Sequence, residues 1–126
     1  MGFVYANITL SNPSKPRLRP IAVRAMVDTG AMMLCIPEHL AVQLKLEEFE
    51  KREVTTADEK RHLVSHVGPI LIRFENRNCI TGALVMGQSV LLGAIALQDM
   101  DVVISPTRET IVVNPESPNI PSAIVK

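Results

Sequence analysis

Ala25-Met26-Val27-Asp28-Thr29-Gly30-Ala31 is the stretch on which the reading of this chain turns, and it occurs once in 126 residues. An apolar run rich in β-branched residues, Ile21 to Val27, predicts a strand that ends at Asp28. Thr29 and Gly30 then predict a tight turn, with glycine free to take backbone angles that other residues resist. The stretch therefore delivers one carboxylate to the end of a buried strand. By average composition, roughly one chain in twenty of this length holds Asp-Thr/Ser-Gly by accident. On the tripeptide alone, the plain reading is a turn in which Asp28 bonds its own backbone. The surrounding sequence has to decide.

Upstream, Phe3 to Leu10 alternates apolar and polar residues and predicts a strand, and Ser11 to Pro20 is a loop holding three prolines. Downstream, Pro37 suits the first position of a short amphipathic helix with Leu40, Val42 and Leu44, running to about Lys45. Glu50 to His66 is polar, with β-branched Val54, Thr55 and Thr56, and predicts an exposed hairpin with its tip near Asp58. Val67 to Phe74 and Cys79 to Met86 read as strands around a turn at Glu75-Asn76-Arg77-Asn78. Val90-Leu91-Leu92-Gly93 is wholly apolar, so burial on both faces is expected. Ala94 to Asp99 suits one or two helical turns. Val102 to Ile104 and Thr110 to Val113 make a hairpin around Ser105-Pro106-Thr107-Arg108. From Asn114 onward three prolines predict an extended tail. Many short strands with one or two short helices give a mostly-β, barrel-like domain over 1–114, followed by a Pro-rich tail over 115–126.

Composition narrows the function. The chain is 47% hydrophobic and 21% charged, as expected of a globular domain. Thirteen basic residues balance thirteen acidic ones, so no net field draws it to nucleic acid or anionic lipid. Three Phe, one Tyr and no Trp leave few platforms for stacking bases. Cys35 and Cys79 lie far apart and suggest neither a zinc site nor a disulfide framework. The start, Met1 to Ala6, lacks the basic n-region of a signal peptide, and no apolar run reaches membrane-spanning length. A soluble cytoplasmic protein without metal or cofactor is expected.

Taken together, Ala25 to Ala31, the Pro37-led helix, the polar hairpin and Val90-Leu91-Leu92-Gly93-Ala94 resemble the retropepsin-like aspartic peptidases. Among these the chain is most similar to small single-domain bacterial members, and the resemblance covers about Phe3 to Val113. It implies a closed-barrel protomer in a two-fold homodimer, with the active site across the axis and a peptide or protein segment as substrate. Carried over by motif, Asp28 is the catalytic carboxylate, the Thr29 hydroxyl bonds across the axis, and the Gly30 backbone approaches the peptide. Ala31 keeps its subsite small. Thr56, Ala57 and Asp58 belong to the flap that closes over the peptide, and Leu92 joins the substrate-contacting set.

The chemistry explains why one copy of the motif calls for two chains. Two carboxylates about 3 Å apart cannot both ionise cheaply, so they share a proton. The ionised member takes a proton from a trapped water, while its partner donates to the scissile carbonyl. Neither a metal nor a covalent intermediate is called for. Every Asp28 in an isologous pair meets its own twin.

Three positions depart from the family pattern. The segment Thr55 to Arg61 contains no glycine, unlike viral flaps. Ala94 stands where viral members carry arginine, and Met32 where its acidic partner is common. A non-catalytic dimeric β module that binds peptide segments is the alternative reading; an ordinary β-barrel interaction domain with an accidental triplet is a third. Glu59, His62 and His66 are better read as hairpin residues than as metal ligands, and His39 as a solvated helix residue. Asp99 and Asp101 lack a following Thr/Ser-Gly. The methionines suit core or pocket lining, and Arg17 with Arg19 is too small a cluster for nucleic acid.

Overall fold

A computed structural model describes residues 3–125. Met1 and Gly2 of the expected domain, and Lys126 of the expected tail, lie outside the described residues. The chain is mostly β. In order run β1 (Tyr5–Ser11), β2 (Ile21–Val27), β3 (Leu34–Ile36), α1 (Glu38–Gln43), β4 (Glu47–Thr55), β5 (Arg61–Phe74), β6 (Arg77–Val85), β7 (Leu91–Leu92), α2 (Ala94–Asp99), β8 (Val102–Ser105) and β9 (Thr110–Val113).

Seven strands form one sheet in the order β1-β2-β7-β3-β6-β5-β4, and β1 pairs additionally with β5. That last pairing, Thr9↔Arg73 through Ser11↔Leu71, brings the strand order back on itself. Alternation in β1 explains its placement: Ala6, Ile8 and Leu10 are buried, while the residues between them are more open. Leu34, Ile36, Ile70, Ile72 and Leu92 meet them in the core. Each such side chain contributes about 1.5–3 kcal/mol on leaving water. The apolar run Val90 to Gly93 lies between β2 and β3, with Val90, Leu92 and Gly93 buried and Leu91 partly open. There β7 runs parallel to β2 and pairs with Cys35 of β3.

Several boundaries differ from the sequence reading. The change from polar to apolar residues at Val67 predicts a boundary between hairpin and following strand, yet β5 runs unbroken from Arg61 to Phe74, with a register shift between Val67 and Ile70. A pairing irregularity absorbs Pro69. Strand β3 was not anticipated, since three residues carry no periodicity. Helix α1 stops at Gln43, and Val42 faces outward, 68% exposed. The buried Asn12 side chain donates to Leu44 O at 2.9 Å, satisfying a carbonyl at the helix end.

Arg77 was read as a turn residue and is instead fully buried. Its guanidinium donates to Ser117 O and lies 3.8 Å from Asp101 Oδ2, while Nε and Nη1 have no hydrogen-bond partner among the described residues. Asp101 also accepts from Asn114 Nδ2 at 2.9 Å, from Ser117 Oγ and from Ser122 N at 2.8 Å. The Pro-rich segment is thereby tied to the domain as far as Ser122. The hydroxyl of Ser117 first, then Asn114 and the Ser122 amide, hold the Asp101 carboxyl down to about 2. Among the described residues, no helix is long and apolar enough to cross a membrane.

Candidate active site

Asp28 follows directly on β2, and its position is set from below by β7. Met26 N donates to Val90 O at 2.9 Å, and Asp28 N donates to Leu92 O at 3.0 Å. The loop then curls back on itself. Gly30 N donates to Asp28 Oδ1 at 2.9 Å, and Ala31 N to Asp28 O at 3.1 Å. Among the described residues, Gly30 supplies the one hydrogen bond that the Asp28 carboxylate accepts. The side chain is half-buried, while Thr29 and Gly30 are exposed beside it. The carboxylate is thus steadied by the backbone on either side of it and stays partly open to solvent.

Gly93 explains why the apolar run must end in glycine. A Cβ there would lie 2.7–2.8 Å from the carbonyl oxygens of Ala31, Met32 and Met33, closer than any real Cβ contact. The loop wraps this one position. Ala94 N and Ile95 N then donate back to Ala31 O at 2.8 Å and Met32 O at 3.1 Å. Positions 28–33 and 90–95 therefore form one unit, although some sixty residues separate them in sequence. Buried Cys35 lies close enough to sense it: burial first, and the Asp28 charge second, push its thiol up.

The hairpin of β4 and β5 turns at 56–60, as the sequence predicted. Thr56 N donates to Lys60 O at 2.9 Å and Glu59 N to Thr56 O at 2.9 Å, with Glu59 in the left-handed region at φ 65°. The Thr56 hydroxyl donates to Asp58 Oδ1 at 2.5 Å and lies 3.3 Å from His62 Nε2. These contacts, the Thr56 hydroxyl above all, hold the Asp58 carboxyl below the usual range. Side-chain hydrogen bonds thus close a turn that lacks glycine.

One face of the hairpin carries Glu50, Arg52 and Val54 opposite His66, Val64 and His62. This face reaches the Asp28 loop, because Arg52 Nη1 donates to Met33 Sδ at 3.0 Å. Glu50 Oε2 accepts from Arg52 Nη2 at 2.6 Å and lies 3.1 Å from His66 Nδ1. Arg52 first and His66 second hold the Glu50 carboxyl down. His66 stands edge-on to Phe49 and over Gly82, where any Cβ would strike its ring.

Residues 19–118 match the family model described as aspartyl protease. The chain belongs to the aspartyl protease family. No curated protein matches it. Two solved structures define the fold as retropepsin-like. One is the retroviral protease-like domain of Ddi1 from Leishmania major, with a TM-score of 0.63 at 11% identity, covering 91% of this chain and 90% of that one. The other is the EIAV protease in complex with the inhibitor HBY-793, with a TM-score of 0.56 at 18% identity, covering 78% and 88%.

Within this member of the aspartyl protease family, Asp28, Thr29, Gly30 and Ala31 lie together on the loop, and Thr56, Ala57 and Asp58 on the hairpin turn. Leu92 requires correction: its side chain is wholly buried and cannot touch a peptide, and it serves the loop through its carbonyl. His62 and His66 take separate partners, Thr56 and Glu50. Sequence reasoning missed Arg52, Glu50 and Met33. The available signal was strand alternation, which sets Glu50, Arg52 and Val54 on one face of the hairpin.

Proposed function

We propose that this chain is an aspartic endopeptidase whose site is completed by a second copy of itself, so that Asp28 from each chain forms the dyad. The observation that carries this reading is the fixing of Asp28. Its backbone is pinned to Leu92, one carboxylate oxygen is tethered by Gly30, and the group is otherwise open. Two such carboxylates brought face to face share one proton. The ionised partner removes a proton from the water between them as that water attacks the peptide carbonyl. The protonated partner donates to the carbonyl oxygen, and the tetrahedral species collapses with loss of the amine. Thr29 is exposed beside Asp28, which supports a role for its hydroxyl in bonding across the two-fold axis.

The return pairing of β1 with β5 supports a closed barrel as the protomer's frame. Exposed Met32 and Ile95, linked through their backbones beside the Asp28 loop, support an apolar contact between copies, in place of the ionic one expected of viral relatives. Both cysteines are free, which fits a cytoplasmic setting. A second reading, a dimeric module that binds peptides without cutting them, is favoured by the hydrogen-bonded, glycine-free hairpin turn, which would resist the motion of a closing flap.

The test is incubation with an unbiased peptide library from acidic to neutral pH, beside an Asp28→Asn variant. Cleavage by the parent chain and none by the variant is expected. Cleavage that survives Asp28→Asn overturns the mechanism, and silence from a verified dimer transfers the case to the binding module.

A further inference from the structure

We infer that Arg52 makes this site selective for peptides carrying an acidic side chain close to the scissile bond; the inference rests on the peptide-site reading above. Two observations carry it. The first is placement. Cross-strand pairing sets Arg52 and Val54 on the hairpin face opposite Val64 and His62, and the Arg52–Met33 contact turns that face toward the loop bearing Asp28. The second is an unequal match of donor and acceptor. Arginine carries a permanent charge and five N–H donors, whereas a thioether sulfur is a weak acceptor. Yet among the described residues the nitrogen that Arg52 aims at the loop, Nη1, finds only Met33 Sδ, at 3.0 Å. A carboxylate entering between hairpin and loop would replace that sulfur with a charge-assisted hydrogen bond.

Glu50 does not fill this role. It holds the other nitrogen, Nη2, at 2.6 Å and shares the same oxygen with His66, so it orients the guanidinium and leaves Nη1 toward the loop that bears Asp28. The substrate class that fits is a peptide with Glu or Asp beside the reacting bond.

The experiment uses the full chain and matched peptides. The best sequence from an unbiased octapeptide library is remade with Glu and with Gln at each position in turn. Values of kcat/KM are compared for the parent, Arg52→Met, Arg52→Lys and Lys51→Met, the last on the opposite face of the hairpin. Binding of the same fluorescent peptides to Asp28→Asn, alone and combined with Arg52→Met, is read by anisotropy. At one position the parent should prefer Glu over Gln by about tenfold. Arg52→Met should erase the ratio, Arg52→Lys should restore part of it, and Lys51→Met should leave it intact. A purely bracing Arg52 would instead lower kcat/KM for both peptides alike and leave the ratio unchanged. That result, or equal rates for Glu and Gln in the parent, overturns the inference while cleavage itself stands. If nothing is cut but binding shows the Glu preference and loses it with Arg52→Met, the protease reading falls and the Arg52 assignment holds. Absence of both cleavage and binding preference overturns both.

Discussion

Asp28 is held by atoms that a conservative change leaves alone. Asp28→Asn keeps the Leu92 and Gly30 contacts possible but removes the carboxylate on which the proposed proton transfer depends. Peptide cleavage should fall by about 10²–10⁴-fold or more, while circular dichroism and melting temperature stay near the parent values. Gly93 works the other way, through space. Gly93→Ala forces a methyl to within 2.8 Å of three backbone carbonyls, and backbone cannot turn aside as a side chain end can. A loss of about 1–3 kcal/mol is expected in denaturant titrations. Activity should fall further than stability alone explains, because those carbonyls belong to the Asp28 loop. The thiols of Cys35 and Cys79 are both pushed up, Cys79 to about 12 by burial and then by neighbouring Asp99. Neither should react with iodoacetamide at neutral pH in the folded chain, and both should react in denaturant.

Among the elements, the Pro-rich segment after β9 should hold to the domain in a pH-dependent way. Asp101 joins Arg77, Asn114, Ser117 and Ser122, and its carboxyl is lowered from 3.8 to about 2. A carboxyl lowered on folding stabilises the fold above its unfolded value and loses that contribution as pH falls through the folded value. Asp101→Asn should therefore melt earlier than the parent at pH 7. The gap should narrow below about pH 4 and close near pH 2, as thermal scans across that range would record. The hairpin of β4 and β5 depends on side chains where other turns use glycine. Thr56→Val removes the hydroxyl that links Asp58 and His62. It should raise amide hydrogen exchange at 56–60 while leaving exchange in β1 and β2 unchanged.

For the whole molecule, local signals in the sequence carried far and long-range ones did not. Strand β2, helix α2 and the β8–β9 hairpin were legible because their signals, apolar runs and turn residues, sit within or beside each segment. The Asp28 loop was legible because its motif is contiguous and the apolar run ending in Gly93 announces a buried partner. Strand β5 was legible only in two pieces, since its polar half, 61–66, and its apolar half, 67–74, differ in composition although one strand carries both. Arg77 was missed because an arginine beside two asparagines signals a turn; its burial depends on Asp101 and Ser117, distant in sequence. Arg52 was missed for the same reason, as only the folded hairpin brings it to Met33.

The central claim is that one Asp28 is half a site. Mixing active chain with increasing Asp28→Asn chain, under conditions that allow subunits to exchange, tests it directly. With equal amounts, random pairing leaves the active chain about half of its original activity, and a large excess of the variant should extinguish it. Activity that stays constant however much Asp28→Asn chain is added would mean that each protomer works alone, and would contradict the account.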